Sequence, residues 1–506
     1  MITAPTRTLD QAVLDLVQRL HQDLEARRRE LVARRDPERE ALIGVTPTLR
    51  DDTKAIRDKE WQVAELPERL MERRVELLGG CSRPEIIDGM NSGAKSYIAD
   101  LWDLNAGQSW WLARAHRYIE RAAKRDLAYV PSEGGRIRIN PATTTRLMVS
   151  PRPIPALEAG LLLDGEPVAA CIHDMALLML RSTADLVERQ GHVLVYLRDV
   201  RTQLEARFWA DMLHALEEHL DLPTGTVRAT IMIDSITGAL QAEEILFELA
   251  HHAAGMSFDP QGYTADLLAM HQGPDDAVFP DRERIGLNSP FLRALSHHLI
   301  GICHRRGCHA IGAPSFILPP RDPNKPSADY LAMLADKERE AVDGHDGTIV
   351  VHPLTVNGAM MEFNKSMARA HQLYYQRTEP VDPALLVQPP EGEITTDSLL
   401  GGVRTLLRAL VQRLNGQGRV VQGSRLHDRS SVRLAVRLLW QWTHHPKGVV
   451  TATGLEIRPE LISYLVRKEA DKLYADAGPE VKAHAAAAVQ QIIDQVTAPH
   501  LPLDPL

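Results

Sequence analysis

Short β-rich runs alternate with helix-length segments from about residue 85 onward, and this alternation constrains the fold more than any other feature. We predict strands at 95–99, 146–149, 192–197, 228–233, 309–311 and 348–351. Helices are predicted between them, among others at 175–189, 204–219 and 242–252. Such alternation is typical of βαβ units with a parallel sheet, and the span is long enough for a (β/α)8 TIM barrel. A doubly wound open sheet is the alternative, but no Gly-x-Gly-x-x-Gly turn follows an early strand.

Helical segments flank this central part on both sides. At the N-terminus, apolar residues recur at helical spacing over residues 10–35, and the arginines from Arg27 to Arg35 are expected to form a solvated face. A phosphate-binding role for these arginines is the alternative. Four prolines at positions 380, 383, 389 and 390 mark a boundary. Beyond it we predict helices at 396–414, 431–443, 459–475 and 479–496.

Composition excludes several classes of protein. The chain has 506 residues, of which 44% are hydrophobic, and a formal net charge of −9. It therefore lacks the basic surface of a nucleic-acid-binding protein. No long uncharged apolar run predicts a membrane span, and the chain shows neither an apolar signal core nor a peroxisomal C-terminal address. Only four cysteines occur, so we expect a reducing cytoplasm.

One polar stretch, 335–353, stands out from the rest. It places charged residues, two glycines and two histidines directly before and within the β-branched run Thr348–His352. We interpret it as a long polar loop that leads into a buried strand. His345 and His352 are candidates for substrate contact, and hydrogen bonds that fix the loop are the alternative.

In a parallel barrel the active site lies at the carboxyl ends of the strands. The polar residues at the predicted strand ends are Asp100, Asp103, Ser150, Arg152, Arg198, Asp199, Arg201 and Asp234. The aspartates among them are suitable Mg²⁺ ligands, because that ion prefers carboxylate oxygens and water. The alternative, which we favour for any single aspartate, is that it caps the helix after its strand.

Several motifs resemble the malate synthase family, of the type called A. The similar segments, spread over nearly the whole chain, are Arg73–Glu76, Met90–Lys95, Leu163–Pro167, Leu204–Arg207, Cys303–Gly307 and Asp336–Pro353. The resemblance implies a TIM barrel with an N-terminal helical clasp and a C-terminal helical plug. The corresponding domains are 1–85 for the clasp, 86–380 for the barrel and 381–506 for the plug, which carries the candidate base.

The resemblance also implies a reaction. Family members are acyltransferases of the glyoxylate cycle that join acetyl-CoA to glyoxylate and hydrolyse the thioester, which gives malate and CoA. An aspartate base removes a methyl proton, an arginine stabilises the enolate, and Mg²⁺ held by a glutamate and an aspartate binds glyoxylate. The expected partners are these small molecules, with no nucleic acid and no membrane. We expect a monomer or a weak oligomer.

Two of the family's roles fall on carboxylates of this chain. The base matches Asp428 in Leu426-His-Asp428. The metal glutamate matches Asp234, whose side chain is one methylene shorter. The second metal ligand matches Gly262, which has no side-chain oxygen, so Asp259 or Asp266 could substitute if the loop is rebuilt, and Asp259 is the candidate that we name.

Other family positions have changed. The catalytic arginine matches Ser150 in Val149-Ser-Pro-Arg-Pro153, and Arg152 is the candidate replacement. Similarly, Trp102 stands where the family has a glutamate. The turn Gly312-Ala313-Pro314 is expected to line the channel for CoA, as similar turns do in the family.

These changes leave three hypotheses open. The first is a malate synthase with a divergent active site, in which Asp428 is the base. A non-catalytic homologue that binds acyl-CoA or a protein partner is the second. The third is an acyl-CoA lyase or thioesterase with a changed substrate.

Overall fold

Eight parallel strands close into a barrel in the computed structural model, which describes residues 2–3, 11–103, 109–132, 134–322 and 324–502. We number the barrel strands β1 to β8 in chain order. They are β1 Val75–Gly79, β2 Ser96–Asp100, β3 Arg146–Ser150, β4 Val193–Leu197, β5 Val227–Ile233, β6 Ala253–Phe258, β7 His309–Ser315 and β8 Gly347–Val350. Each strand pairs with the next one along the chain, and β8 pairs with β1 in the register Thr348 to Val75.

The predicted TIM barrel is therefore confirmed, although two of its strands were not predicted. These are β1 and β6. The β1 strand has the charged residue Glu76 at its second position, and β6 contains no β-branched residue. Both strands are nonetheless buried along their whole length, so tertiary packing overrides their weak intrinsic preference for strand. Strand β1 also lies within residues 1–85, the segment predicted as a clasp.

The chain divides into two compact units. The barrel unit comprises Met1–Asp36, Leu49–Phe258 and Ser296–Pro380, and it contains all eight barrel strands. The helical unit comprises Pro37–Thr48, Asp259–Leu295 and Val381–Leu506. Among the residues that the structure describes, no helix combines the length and the apolar character needed to cross a bilayer.

Helices and short strands surround the barrel strands in the barrel unit. The helices that lie wholly or partly in it are Gln11–Glu40, Lys54–Asp58, Arg83–Met90, Ser109–Ala123, Ala170–Gln190, Gln203–His219, Ile236–Leu240, Ala242–Glu248, Pro290–Arg305, Ala328–Asp343 and Val356–Ser366, with 3-10 turns at Glu68–Leu70 and Pro353–Thr355. The additional strands are Ile2–Thr3, Leu157–Leu163 and Glu166–Ala169, which form one sheet, and Ala128–Tyr129 with Ile137–Arg138, which form a hairpin.

The helical unit confirms a C-terminal domain built mainly from helices. Its helices are Pro260–Leu268, Pro383–Leu386, Thr396–Leu414, Arg429–His444, Pro459–Leu473 and Pro479–Val496, with a 3-10 turn at Arg282–Arg284. Two hairpins, which the sequence did not predict, pair Val420–Gln422 with Arg425–His427 and Val449–Val450 with Leu455–Glu456. Two helices, Thr396–Leu414 and Pro479–Val496, have the predicted bounds.

Most of the polar stretch before β8 is a helix, so the predicted long loop was wrong and is reduced to residues 344–346. The helix runs over Ala328–Asp343 and ends at Gly344, which has the left-handed conformation with φ 115°. Its buried residues are Met333, Lys337, Glu340 and Ala341. Two of the four are charged, so the helical pattern is not apparent from hydrophobicity alone.

The arginines of the first helix do not all face solvent, as the sequence had suggested. Arg28 is buried and donates from Nε and Nη2 to the Glu25 carboxylate, at 2.7 and 2.8 Å. The Arg35 side chain is only 9% exposed and pairs with Asp199 and Glu205. Arg35 therefore attaches the first helix within the barrel unit through ion pairs, whereas Arg28 pairs within the helix and donates to the Ile154 carbonyl at 3.0 Å.

A buried ion pair lies at the start of β1. Arg73 and Glu76 are fully buried, and Nε and Nη2 of Arg73 each donate to one Glu76 oxygen at 2.9 Å. Arg73 also donates to the Thr230 hydroxyl on β5 at 2.9 Å. The pair thus links β1 to β5, and its charges compensate each other away from water.

We predict that Arg73→Ala strongly destabilises the protein. The substitution leaves the Glu76 carboxylate buried without its partner, which typically costs about 3–5 kcal/mol. Urea denaturation should show this loss in the free energy of unfolding. Arg50→Ala removes an ion pair with Asp52 whose two side chains are exposed, and it should cause little change. Equal effects of the two substitutions would contradict the assignment.

We also predict that the protein loses stability in mild acid because of its buried histidines. Burial lowers the pKa of His309 to about 3 and that of His345 to about 4. Between about pH 6.5 and pH 4, the unfolded chain takes up protons at these positions that the folded chain does not. The free energy of unfolding should therefore fall by about 1 kcal/mol per histidine from pH 6.5 to pH 5.5.

Urea denaturation at several pH values measures this dependence. His345→Gln should reduce the slope of the unfolding free energy against pH, whereas His214→Gln, at an exposed position, should leave it unchanged. A slope that is the same in both variants would count against the buried histidines as its source.

Candidate functional site

The carboxyl ends of β2 and β3 bring two candidate residues together. Asp100 and Ser150 are partners in the parallel register of these strands, and both are fully buried. The Ser150 hydroxyl has no hydrogen-bond partner among the residues that the structure describes. The position that the resemblance matches with the family arginine therefore holds a small polar group that can still form a hydrogen bond.

A buried arginine engages the two aspartates that follow β2. Arg198, directly after β4, forms an ion pair with Asp103, and its Nη1 lies 4.0 Å from Asp100 Oδ2. The Asp100 carboxylate also accepts the backbone N–H groups of Trp102 and Asp103, at 3.0 and 3.1 Å. These aspartates thus hold a turn and a guanidinium, an arrangement that does not suit a divalent cation.

Arg152 is held by two carboxylates. Its Nε and Nη2 donate to the two oxygens of Asp174 at 2.9 and 2.6 Å, and Nη2 lies 2.8 Å from Glu158 Oε2. All three residues are buried. Burial alone would raise the pKa of Asp174, but Arg152 and His116 outweigh it and hold that pKa well below its usual range. The guanidinium is therefore committed to a permanent ion pair.

Two histidines lie beside this ion pair. Ligand atoms of His116, His173 and Asp174 all lie within 4.8 Å of one another, which is close enough for a metal site. However, His116 Nε2 is 3.0 Å from Asp174 Oδ1, and Arg152 contacts both oxygens of that carboxylate. A cation, the guanidinium, already occupies the ligand oxygens, so the cluster is best described as an ion-pair network.

The charged residues after β4 are part of a second network. Asp199 adopts a positive φ of 54° and accepts hydrogen bonds from Arg35 and from Arg201 Nε, at 2.5 and 2.8 Å. Arg201 also donates its backbone N–H to Glu205 at 2.8 Å. The charges at positions 199 and 201 therefore connect the end of β4 to the first helix.

The metal candidates Asp234 and Asp259 lie in different units. Asp234 directly follows β5, is partly exposed, and is not the cap of the next helix, because Ser235 accepts the Gly238 N–H at 3.1 Å. In the helical unit, Asp259 is the N-cap of the helix Pro260–Leu268 and accepts the Gln261 N–H at 3.0 Å. Asp259 is thus a helix cap, whereas Asp234, for which capping was the alternative to metal binding, is not.

The donor set does not fit the family's magnesium site. That site needs a glutamate and an aspartate, and Gly262, inside the helix Pro260–Leu268, has no side-chain oxygen. In the barrel unit, Asp100 and Asp103 are engaged by Arg198. Asp234 is therefore the one family metal position at which this chain keeps a carboxylate.

The segment Gly312-Ala313-Pro314 is part of strand β7 and not a turn. The Ala313 N–H donates to Glu340 Oε1 at 2.8 Å, and its carbonyl accepts from Lys337 Nζ at 2.7 Å. A Cβ atom at position 312 would lie 2.4 Å from the Glu340 carboxyl carbon, so any larger residue there would displace this carboxylate. The structure shows why the segment has this sequence, while contact with CoA remains a prediction.

Asp428 lies at the start of a long helix of the helical unit. It follows the hairpin strand Arg425–His427 and is the N-cap of the helix Arg429–His444, where its Oδ1 accepts the Ser431 N–H at 2.8 Å. Only 2% of its surface is exposed. The cap fixes the direction of the carboxylate.

Sequence reasoning missed Arg282, which belongs to the same part of the helical unit. Its Nη2 donates to Ser431 Oγ at 2.6 Å and to Gln261 Oε1, and its Nη1 lies 3.3 Å from His427 Nδ1. Ser431 therefore contacts Asp428 through its backbone and Arg282 through its hydroxyl. A turn signal was present in Phe279-Pro-Asp-Arg282, but nothing in the sequence placed it beside Asp428.

We predict that Arg152→Gln lowers stability, because it leaves Asp174 and Glu158 buried without their cation. The expected loss in the free energy of unfolding is about 3–5 kcal/mol. Arg121→Gln removes an ion pair with Asp126 at the surface of the same unit and should have little effect. If Arg152 is instead a reacting group, the substitution will remove activity without lowering the stability.

Comparison with known proteins identifies the family. A family model described as malate synthase, TIM barrel domain, matches residues 146–388, and one described as malate synthase, C-terminal, matches 393–502. Malate synthase from Streptomyces clavuligerus is 32% identical over 498 residues, which cover 95% of this chain and 91% of the relative. Malate synthase from Myxococcus xanthus is 30% identical over 470 residues, which cover 92% and 86%.

Among solved structures, a ternary complex of Haloferax volcanii malate synthase with pyruvate and acetyl-CoA matches with a TM-score of 0.43 and 12% identity, and it covers 81% of this chain and 97% of that one. The matches cover most of the length of each of these two sequence relatives, and both parts of the chain match models of one family. The chain therefore belongs to the malate synthase family.

Proposed function

We propose that this protein condenses acetyl-CoA with glyoxylate and hydrolyses the resulting thioester, which gives malate and CoA. The family's members carry out this reaction, and the resemblance matches Asp428 with their base. The observation that carries the proposal is the geometry of Asp428, a buried carboxylate held in one direction by the Ser431 N–H. A base must be held within hydrogen-bond reach of the proton that it removes.

The proposed first step is a proton transfer. Asp428 takes a proton from the methyl group of acetyl-CoA, and the electron pair of the broken C–H bond moves into the thioester as an enolate. The enolate carbon then forms a bond with the aldehyde carbon of glyoxylate, while the π electron pair of the aldehyde moves to its oxygen. That oxygen takes up a proton from water and becomes the hydroxyl group of malate. Water finally hydrolyses the thioester and releases CoA.

Magnesium has no assigned step in this proposal. The family's ion needs two carboxylates, and this chain offers Asp234 at one position and Gly262 at the other. We place the reaction in the cytoplasm, because the four cysteines are all buried as free thiols.

A second candidate function has one observation in its favour. The family's catalytic arginine position is Ser150, and Arg152, the nearest arginine in the same motif, is held in a buried ion pair with Asp174. These facts would suit a homologue that binds acyl-CoA without converting it. Turnover measurements separate the two functions.

We predict that the purified protein releases CoA from acetyl-CoA only when glyoxylate is present, and that Asp428→Asn abolishes this release. Asparagine caps a helix about as well as aspartate, so the melting temperature should hardly change. The measurement follows free CoA with a thiol reagent, with and without glyoxylate.

The matched control is Asp382→Asn. Asp382 is also an N-cap of the helical unit, and it accepts the Ala384 N–H at 2.9 Å. This variant should keep full activity. No release by the wild-type protein would favour the binding function, and release without glyoxylate would indicate a thioesterase. Activity that survives in Asp428→Asn would remove the role assigned to Asp428.

A further inference from the structure

Arg282 is a cation whose hydrogen-bond partners are all uncharged. It is partly buried, and its side chain contacts the amide of Gln261, the hydroxyl of Ser431 and the imidazole of His427. Burial, followed by Arg282 and Arg425, lowers the pKa of His427 to about 3, so this imidazole is neutral near pH 7. Within the described part of the chain, no carboxylate lies within ion-pair distance of the Arg282 guanidinium.

Three other arginines with buried side chains have carboxylate partners. Arg73 pairs with Glu76, Arg306 pairs with Glu243, and Arg152 pairs with two carboxylates. Burial of a charge without a partner is costly, and here it lowers the pKa of Arg282 to about 10. At pH 7 the guanidinium is still charged, so it is a cation with unused capacity to interact with negative charge.

Hydrogen bonds of the neighbouring residues fix the position of Arg282. Its neighbour Asp281 is buried and accepts the backbone N–H and the hydroxyl of Thr395, at 2.8 and 2.7 Å. Ser431 then connects the guanidinium to the candidate base, because its hydroxyl accepts from Arg282 and its N–H donates to Asp428. Arginine and base are thus held by the same residue.

The charges around Arg282 indicate what kind of negative charge it can accept. Asp428, Asp259 and Glu283 favour its charged form, and Arg425 opposes it. A permanently anionic ligand would add a further negative charge beside three carboxylates. Proton transfer to Asp428 adds none, because it neutralises that carboxylate and moves the negative charge to the substrate oxygen.

We propose that Arg282 is a catalytic residue that donates a hydrogen bond to the enolate oxygen formed when Asp428 deprotonates acetyl-CoA. The inference rests on the proposed function. One C–H bond breaks, the proton goes to Asp428, and its electron pair forms the C=C bond of the enolate. The carbonyl electron pair moves to the oxygen, which the guanidinium stabilises. Positive charge at a developing oxyanion is worth most when its donors are already fixed in place.

The test compares Arg282→Gln, Arg282→Lys and Arg284→Gln with the wild-type protein. Arg284 lies in the same 3-10 turn, is exposed, and pairs with Glu393 at 2.7 Å, so its substitution is the matched control. Two assays are used: glyoxylate-dependent release of CoA, and exchange of the acetyl-CoA methyl protons in D₂O followed by NMR. Thermal unfolding of each variant monitors the fold.

Arg282→Gln should lower kcat by about 10²–10³ and leave the KM for acetyl-CoA nearly unchanged, because the charge that it stabilises appears only after proton transfer. Methyl exchange should fall by a similar factor. The isotope effect with deuterated acetyl-CoA should increase, since enolate formation becomes slower. Arg282→Lys should recover about a tenth of the lost rate, and Arg284→Gln should behave as the wild type.

The outcomes distinguish this inference from the proposed function. If Arg282→Gln retains wild-type kcat and exchange, or if its loss appears only in KM, the inference is wrong although the reaction stands. If exchange occurs and depends on Arg282 but glyoxylate adds no release of CoA, the inference stands and the proposed reaction is wrong. A folded wild-type protein with neither exchange nor release would overturn both.

Discussion

The parallel pairing of β8 with β1 is the constraint on which the rest of the barrel depends. It requires a glycine at position 347, because a Cβ atom there would lie 1.8 Å from the Arg73 carbonyl oxygen. Closure leaves no free sheet edge and brings the carboxyl ends of all eight strands to one rim. For this reason Asp100, Ser150 and Arg198, which are far apart in the sequence, come close together at their strand ends.

Charge compensation shapes the interior of the barrel unit. The ion pairs of Arg73, Arg152 and Arg198 are all buried. Such pairs add little net stability compared with an apolar core, but the loss of one partner is costly. The pairing also engages Arg152 and the aspartates after β2 in structural contacts.

In the helical unit, the arginine beside Asp428 is held by neutral groups and not by carboxylates. There, the N-terminus of a long helix, a neutral histidine and Arg282, which forms no ion pair with the described residues, meet at Ser431. The helix holds the carboxylate, and the arginine is held by neutral groups that leave its charge available. A base and a cation supported in this way suit a reaction in which a negative charge moves from one oxygen to another.

Local pattern in the sequence was enough to predict the alternation of strands and helices, and hence the barrel, along with the C-terminal helices. The local pattern failed where tertiary packing buries a segment whose own residues do not indicate it. Strand β6 has no β-branched residue, and the helix Ala328–Asp343 buries Lys337 and Glu340.

For the candidate site, the sequence by itself determined the chemical groups available, namely Asp428, Asp234, Ser150 and the missing oxygen at Gly262. Only the tertiary structure decided their state, since it paired Arg152 with Asp174 and brought Arg282 to Ser431 across about 150 residues of chain. The physical reason is that hydrogen bonds and ion pairs depend on distances of a few ångströms, which spacing along the chain does not specify.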